Sequence, residues 1–275
     1  MKKLYPLLSV LFLISYLDGQ DWLRTYGGDE QDIGWCVQET NDGGFVIVGQ
    51  ESSFGNGGRD VYIIKTNING DTLWTKSYGY PSDDGGNYIE QTTDNGYIIT
   101  GGSFELGVGG GDNVYLIKTD VSGDSIWTKR FNDFNPSGSQ VGRSVQQTTD
   151  GGYIVTGDGF LMLKTDSLGN EEWRQTNVFG YDGSIDGDHI EETSDGGYII
   201  ISNILIKLDS LGFTEWINED MGGNNVQQTS DGGYVVIGQF TDNFQRDYIS
   251  IIKSDSNGQM MWYNYFGGDD DCTNS

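Results

Sequence analysis

The sequence contains no alanine at all and only three prolines among its 275 residues. Alanine is the strongest helix former, so its complete absence argues against a helical protein. Glycine is abundant, with 43 residues, and the apolar positions are filled by Val, Ile, Thr and aromatic residues, which suit strands. With 35% hydrophobic residues the chain has enough apolar material for one packed β domain. The composition therefore predicts an all-β fold.

Positive charge is also scarce. The chain has 15 Lys and Arg against 41 Asp and Glu, which gives a formal net charge of −26, and its pI is about 4.1. Binding to a phosphate backbone needs Lys and Arg, so nucleic acid is excluded as a partner, and an anionic membrane surface is disfavoured. The acidity has two interpretations, since it could keep a glycine-rich β protein soluble or bind cations.

Recognisable catalytic motifs are missing as well. There is no G-x-S-x-G elbow, no CxxC metal pair and no P-loop, because the glycine run at residues 107–111 links two strands and is followed by no helix. The single histidine, His189, fits a surface residue better than a catalytic base. We expect no cofactor and no catalytic residue, although abundant carboxylates leave glycoside hydrolysis open. Whether Cys36 and Cys272 pair is also open.

The N-terminus has the features of a secretory signal peptide. Two lysines precede an apolar run at residues 4–17, and the small residue Gly19 follows it. The run is short for a membrane-spanning helix, and no later segment is long and apolar enough to span a bilayer. We expect a signal peptide at residues 1–19 and a secreted or cell-surface mature chain at residues 20–275, with no membrane insertion.

Two sequence anchors recur five times along the mature chain. The first is Asp-Gly-Gly-Tyr or a close variant, with spacings of 52, 56, 45 and 36 residues, starting at Asp42, Asp94, Asp150, Asp195 and Asp231. The second is a lysine followed nine residues later by a tryptophan, at Lys65/Trp74, Lys118/Trp127, Lys164/Trp173, Lys207/Trp216 and Lys253/Trp262. Repeats of this period indicate a modular architecture. The units span residues 29–79, 80–132, 133–178, 179–222 and 223–268.

Each unit divides into four short strands, A to D, typified by residues 145–148, 153–156, 114–118 and 126–129. Glycines mark tight hairpins between A and B and between C and D. Strands B and C are almost continuously apolar, which indicates sheets covered on both faces. Four-stranded antiparallel sheets repeated in this way predict a β-propeller, with a β-solenoid as the structural alternative.

At the level of families, the units resemble the bacterial secreted β-propeller repeats related to the PQQ-like and kelch-like propellers. Asp120, Gly123 and Trp127 are similar to the tryptophan-docking motif of PQQ-type propellers, although the turn is one residue shorter. The resemblance implies that the D-strand tryptophans pack between adjacent blades, at Trp22, Trp74, Trp127, Trp173, Trp216 and Trp262. A PQQ-type redox domain is disfavoured because no cofactor residues can be mapped. The resemblance indicates almost nothing about activity, because propellers have many functions.

The two ends of the chain suggest an incomplete ring of five whole blades. Residues 22–28 match a D strand and its linker with no A, B or C strand before them. Residues 266–269 resemble the linker at residues 26–29, which leads into a new A strand. We therefore expect the N-terminal strand to be the outer strand of a last blade that a longer C-terminus would build.

The strand order predicts two different faces of the propeller disc. Short A–B and C–D turns share one face, and the variable B–C and D–A loops share the other, which is therefore the candidate binding face. Its candidate binding residues are Phe54, Phe104, Phe134, Tyr181 and Phe244. Asp182, Asp186 and Asp188 are calcium candidates, although their spacing is not that of an EF-hand. The alternative is that these aromatics anchor loops and the aspartates form turns.

The A strands should line a central channel, with one alternating set of Gln and Glu side chains facing it. Glu191 and Glu192 are adjacent on one strand, so they face opposite ways and cannot act as an acid–base pair. The sequence thus predicts an exported, non-enzymatic and monomeric propeller that serves as an interaction module for an unknown protein or glycan. The alternative is a carbohydrate-binding or carbohydrate-active propeller, namely a lectin, hydrolase or lyase.

Overall fold

A computed structural model of the chain describes residues 23–55, 58–105, 111–131, 140–158, 160–176, 186–241 and 246–267. These ranges contain twenty strands and no helix, arranged as five four-stranded antiparallel sheets. Within each sheet the strands pair in chain order, as expected for successive hairpins. The all-β propeller architecture with five complete blades is confirmed.

The blades follow one another along the chain, and their four strands are called A to D. Blade 1 contains β1 (Ile33–Glu39), β2 (Phe45–Glu51), β3 (Asp60–Thr66) and β4 (Thr72–Tyr78). Blade 2 contains β5 (Asp84–Gln91), β6 (Tyr97–Glu105), β7 (Gly111–Thr119) and β8 (Ser125–Phe131). Blade 3 contains β9 (Val141–Gln147), β10 (Tyr153–Asp158), β11 (Phe160–Thr165) and β12 (Glu171–Gln175). Blade 4 contains β13 (His189–Glu192), β14 (Tyr198–Ile201), β15 (Leu205–Leu208) and β16 (Thr214–Asn218), and blade 5 contains β17 (Asn225–Gln228), β18 (Tyr234–Thr241), β19 (Asp247–Ser254) and β20 (Met260–Phe266).

The A strands of successive blades contact one another and form the inner wall of the disc. The A–B and C–D turns therefore lie on one face, called the turn face, and the B–C and D–A connections lie on the other, called the loop face.

A buried lysine explains the spacing between the two sequence anchors on the turn face. The five anchor lysines are at most 9% exposed. Each places its Nζ 2.8 to 3.1 Å from a carboxylate oxygen of the A–B turn aspartate of its own blade. Each Nζ also donates to the backbone carbonyl of the next residue, as Lys118 does to Thr119 at 2.8 Å. The lysine thus ties the first hairpin of the blade to its third strand.

The turn aspartates are held in their charged form by several donors. Asp42 accepts from the Thr40 hydroxyl at 2.6 Å, from the Gly44 N–H at 3.1 Å and from Lys65. The Thr40 hydrogen bond and then Lys65 lower the pKa of Asp42 to about 2. In blade 3, burial alone would raise the pKa of Asp150, but the hydrogen bonds from Lys164, Thr148 and the Gly152 N–H together outweigh it, and the pKa falls to about 2.

The second glycine of the Asp-Gly-Gly turn has a steric reason to be glycine. A Cβ at Gly152 would lie 2.6 Å from Lys164 Nζ and still closer to the backbone carbonyl oxygen of Thr165, which is closer than real Cβ contacts allow. We expect Gly152→Ala to lower the free energy of unfolding by about 1–3 kcal/mol, because both the backbone of strand C and the lysine must move. Chemical denaturation measures this change. Gly151→Asn is the matched control, because Asn95 occupies the same position in blade 2 at φ 63°, so this variant should be nearly neutral. An equal loss in both variants would contradict the explanation.

Two sets of hydrogen bonds join the inner strands of successive blades. In blades 1 to 4, the first Gln or Glu of the A strand accepts from a backbone N–H of the next blade. The donor and acceptor pairs are Gln91 to Gln38, Gln147 to Glu90, Glu192 to Gln146 and Gln228 to Glu191, at 2.5 to 3.1 Å. In blades 2 to 5, the second Gln or Glu accepts from a backbone N–H of the preceding blade, in the pairs Asn41 to Gln91, Thr93 to Gln147, Thr149 to Glu192 and Ser194 to Gln228, at 2.7 to 2.8 Å. Glu and Gln both supply an acceptor oxygen, so either residue serves here.

Apolar side chains fill four seams between successive blades. The buried clusters join blades 1 and 2, blades 2 and 3, blades 3 and 4, and blades 4 and 5. In each seam the D-strand tryptophan meets the B-strand tyrosine of the next blade edge to face, with ring centroids 5.7 to 6.0 Å apart, in the pairs Trp74–Tyr97, Trp127–Tyr153, Trp173–Tyr198 and Trp216–Tyr234. The indole also covers the C–D turn glycine of the next blade. For example, a Cβ at Gly123 of blade 2 would lie 2.7 Å from Trp74 of blade 1.

The segment at residues 23–26 occupies the place of a D strand beside blade 1. The Tyr26 hydroxyl donates to the Gly70 carbonyl at 2.7 Å, as Tyr78 donates to Gly123 in the seam between blades 1 and 2. Arg24 pairs with Asp71 at 3.3 Å, as Lys76 pairs with Asp124. Residues 23–26, although not a strand, therefore contact the C–D turn of blade 1 in the way that D strands contact the next blade.

The far face of blade 5 is open, since no apolar cluster among the described residues joins blade 5 to blade 1. The strand registers place Ile237 and Ile249 of blade 5 where blade 1 has Val48 and Val61. Ile237 and Ile249 are 46% and 55% exposed, whereas Val48 and Val61 are 0% and 1% exposed. Trp262 on the same face is 46% exposed and lies in no described seam, which distinguishes it from the four seam tryptophans.

Candidate functional site

The loop face has a step between blades 4 and 5 because their strands differ in length. Strands B and C of blade 4 have four residues each, whereas those of blade 5 have eight. Both pairs start level at the turn face, at Tyr198 and Tyr234. At about 3.3 Å per residue, blade 5 therefore extends roughly 13 Å beyond blade 4 at the loop face.

A cavity of about 620 Å³ lies in this step and is called the blade 4–5 cavity. This volume is in the range of about 300–1,000 Å³ that small-molecule sites have. Its lining residues are Asp188, Ser202, Asn203, Glu219, Asp220, Gly222, Gly223, Asn224, Gln239, Phe240, Ser250, Ile252 and Tyr265.

The wall on the blade 5 side is aromatic. Phe240 and Tyr265 are stacked, with ring centroids 4.4 Å apart and ring planes 21° apart. Tyr248 lies 6.3 Å from Phe240 and 6.5 Å from Tyr265. Phe240 and Tyr265 are 39% and 42% exposed, so they present ring surface to the cavity.

In the seam between blades 1 and 2 a linker side chain fills the corresponding place. The Tyr80 ring lies 5.9 Å from Tyr115 and under the Arg130 guanidinium, at 4.1 Å. The linker into blade 5 has Gly222 and Gly223 instead, which bring no side chain over the aromatic wall. The short strands of blade 4 and this glycine pair together leave the cavity open.

The rest of the lining is polar and acidic. Three carboxylates (Asp188, Glu219 and Asp220) and three amides (Asn203, Asn224 and Gln239) border the cavity, and none of its described lining residues is Lys or Arg. Primary amides both donate and accept hydrogen bonds, and carboxylates accept them. An anionic ligand would be repelled here.

A second cavity, of about 400 Å³, continues from the first across the mouth of the central channel. Both cavities are lined by Asp188 and Asn224. The second also includes Trp35, whose side chain is 58% exposed. The loop face thus carries two exposed aromatic surfaces connected by shared polar residues.

Arginine 143 neutralises part of the acidic loop that contains the calcium candidates. Its guanidinium donates to Asp158 at 3.0 Å and to Asp188 at 3.3 Å. Asp186 also contributes to the raised pKa of Arg143. Asp182 lies outside the described residues, and among the described residues no group of three or more His, Cys, Asp or Glu could hold a metal ion.

The central channel contains the histidine that the sequence had suggested to be a surface residue. His189 is the first residue of β13, and its Nε2 lies 3.5 Å from the Tyr88 hydroxyl of blade 2, across the channel. Burial lowers the pKa of His189 to about 4, so it is neutral at physiological pH. The surface interpretation was wrong because the inner strands converge closely enough for two side chains to meet across the axis.

Glu90, one of the inner-strand acceptors, also lines the channel. Burial raises its pKa to about 7, and the hydrogen bond from the Gln147 N–H only partly opposes this. A carboxyl group with a raised pKa in the folded state stabilises the fold at low pH. That contribution is lost as the pH rises from the ordinary pKa of a glutamate side chain through about 7.

We expect Glu90→Gln to stabilise the protein at pH 8 by on the order of 2 kcal/mol and to change little at pH 5. Glutamine keeps the acceptor oxygen, as Gln38 and Gln146 do in blades 1 and 3. Urea unfolding at the two pH values measures the difference. A variant that is equally stabilised, or equally destabilised, at both pH values would refute the assigned titration.

The other residues of the predicted binding face are not gathered at one place. Phe54 is 58% exposed and lies 6.1 Å from Tyr62 of blade 1, and Phe104 is half-buried at the end of β6. Phe134, Tyr181 and Phe244 lie outside the described residues, as do Trp22 and Cys272. Cys36 is half-buried, and burial raises the pKa of its thiol.

No helix in the described ranges has the length and apolar character to cross a membrane.

Comparisons with known proteins bear on the fold. No protein-family model and no curated protein matches the sequence. Among solved structures, a protein of unknown function from Bacteroides caccae matches with a TM-score of 0.56 and 12% identity, over 87% of this chain and 84% of that chain. The chain has a propeller-like, all-β repeat fold.

Two further solved structures match with TM-scores below 0.5, which is too low to indicate a shared fold or function. One is a eukaryotic initiation factor, with a TM-score of 0.38 and 11% identity over 84% of this chain and 65% of that chain. The other is a puromycin hydrolase mutant complexed with PGG, with a TM-score of 0.40 and 14% identity over 80% of this chain. The present chain spans 33% of the length of that hydrolase.

Sequence reasoning missed Trp35, Tyr248 and Tyr265 as residues of the site. Trp35 had a signal, because it is the one tryptophan outside the lysine–tryptophan spacing and the N-terminal D-strand match. Tyr248 and Tyr265 occupy register positions where blade 2 has Asn113 and Arg130. A comparison of the units position by position would have identified both tyrosines.

Proposed function

We propose that the protein is an exported, non-enzymatic interaction module that binds its ligand on the loop face. The blade 4–5 cavity carries this proposal, because it is a concave surface that exposes aromatic rings beside amides and carboxylates. Contiguous exposed aromatic patches in a concave surface of this kind are typical of binding sites. Export is proposed from the signal-peptide features of residues 1–19, which lie outside the described residues.

The lining of the cavity supports binding rather than catalysis. None of its described lining residues is a histidine, cysteine or lysine. Its one paired carboxylate, Asp188, is held by Arg143 at 3.3 Å. His189 and Glu90 lie in the channel and line a different cavity.

Blocking the cavity tests the proposal. The labelled mature protein is mixed with cell-surface and extracellular matrix material from the source organism, and co-sedimentation is measured. Asn203→Trp places a bulky side chain in the cavity from an exposed loop position, so binding should fall at least tenfold. Ser122→Trp is the matched control, because Ser122 is also exposed but lies in a C–D turn on the opposite face.

Binding by the control and loss in Asn203→Trp would support a loop-face module. Binding that survives Asn203→Trp, or that is lost in Ser122→Trp, would contradict the location. Absence of any binding by the unmodified chain would contradict the interaction role itself. Recovery of the chain from the cytoplasm with residues 1–19 still attached would contradict export.

A further inference from the structure

We infer that the blade 4–5 cavity and the adjoining channel mouth form one extended site for an uncharged oligosaccharide. This inference rests on the proposed function, because it assigns a ligand class to the same loop face. It draws on the shape of the two cavities, the orientation of the aromatic rings and the charge of the lining.

The stacked rings favour a flat, weakly polar ligand surface. Phe240 and Tyr265 lie nearly parallel at 4.4 Å, so each covers one face of the other and leaves its remaining surface for a ligand. The C–H face of a pyranose ring fits such a flat aromatic surface. A single ring face also attracts a cation, as the Tyr80 ring does Arg130, so cationic peptides are included in the test below.

The polar lining matches the hydroxyl groups that the rest of a sugar ring presents. Asn203, Asn224 and Gln239 offer both donors and acceptors, and Glu219 and Asp220 offer acceptors. All five side chains are exposed, so they can meet a ligand without a change in the fold. A hydroxyl group both donates and accepts, so it can use every one of these partners.

The charge of the lining excludes acidic sugars. The two cavities contain the carboxylates of Asp158, Asp188, Glu219 and Asp220, with Arg143 as the single cation among their described lining residues. Arg143 is already bound by Asp158 and Asp188. A uronate, sulfate or phosphate group would therefore meet net negative charge, whereas an uncharged sugar would not.

The connection between the cavities determines the length of the ligand. Asp188 and Asn224 line both, so a ligand can pass from the Phe240–Tyr265 stack to Trp35 without leaving a polar surface. Trp35 is 58% exposed although indole is mostly apolar. A single sugar ring can cover only one of the two aromatic surfaces, so the site fits a chain of several rings.

Titration calorimetry with uncharged oligosaccharides of one to six rings, chosen from a glycan array, tests the inference. Affinity should rise with length until both aromatic surfaces are covered. Phe240→Ala should weaken the binding of oligosaccharides of every length about tenfold. Trp35→Ala should weaken the binding of only the longer oligosaccharides. Phe213→Ala is the matched control, because Phe213 is 60% exposed in a C–D turn on the turn face, and it should bind like the unmodified protein.

Several outcomes would overturn the inference. They are binding of acidic oligosaccharides or cationic peptides in place of neutral sugars, affinity that is independent of length, and unchanged binding by Phe240→Ala and Trp35→Ala. If the chain fails to bind any glycan but still loses matrix binding in Asn203→Trp, the oligosaccharide assignment fails and the interaction module stands. If matrix binding itself is absent, the proposed function fails first.

Discussion

Replacing Trp127 with alanine should lower the free energy of unfolding by about 3–5 kcal/mol, the usual cost of removing a large aromatic side chain from a core. Trp127 packs edge to face on Tyr153 at 5.7 Å and covers the C–D turn glycine of blade 3. Its loss opens a cavity in the buried cluster that joins blades 2 and 3. Equilibrium denaturation in guanidinium, monitored by circular dichroism, measures the change.

Trp262→Ala is the matched control, since Trp262 occupies the same position of blade 5. Its side chain is 46% exposed and meets no following blade among the described residues. Removing it should cost less than about 1 kcal/mol, as expected for a surface substitution. Equal losses in the two variants would show that the seams do not carry the stability assigned to them.

Adding three strands to the C-terminal end should stabilise the chain. The open face of blade 5 exposes Ile237, Ile249, Trp262 and Phe266, and residues 23–26 already contact blade 1 where a D strand would lie. A copy of residues 80–119 joined after Gly267 would supply a linker and the A, B and C strands of a sixth blade. Burying four large side chains contributes several kcal/mol, so the melting temperature should rise by about 5–10 °C.

Differential scanning calorimetry measures the shift, and the fluorescence of Trp262 reports whether its indole becomes buried. A tail of the same composition in scrambled order is the control and should leave both unchanged. An extended chain with the melting temperature of the original, or one that forms dimers instead of closing, would contradict the idea that the gap fits one blade.

The positions of the strands could be predicted from the sequence because the signals are local. Asp-Gly-Gly and the glycine of the C–D turn each determine a hairpin by their own backbone conformation, as at Gly43 and Gly123, both with positive φ. The repetition of these turns in five units then determined the number of blades. The direction of packing, with each tryptophan on the next blade, followed from the resemblance of the motif.

The role of the anchor lysines could not be predicted in the same way. A lysine in isolation is expected at the surface, and its burial depends on an aspartate 14 residues away in blade 3 and 23 residues away in blade 1. The alternating Gln and Glu of the inner strands likewise find their partners 34 to 57 residues away in sequence. Such pairings become visible only when the blades are placed side by side.

The candidate site depended on a difference between units, which a repeat analysis tends to average out. The short spacing of 36 residues between the fourth and fifth turn anchors was visible in the sequence. That it produces a step in the loop face became visible only in the structure. The aromatic wall is exposed because Phe240 and Tyr265 lie on the part of blade 5 that the shorter strands of blade 4 do not cover. Trp35 fits no repeat position, so the repeat pattern predicted no role for it.

Hydroxyl-radical footprinting of the tryptophans, read by mass spectrometry, tests the central claim most directly, namely that four seams are closed and one blade face is open. Trp74, Trp127, Trp173 and Trp216 should be oxidised slowly, because each indole is half-buried against the next blade. Trp262 and Trp35, at 46% and 58% exposed, should be oxidised several times faster. Equal oxidation rates for all six, or a Trp262 as slow as the seam tryptophans, would contradict the account.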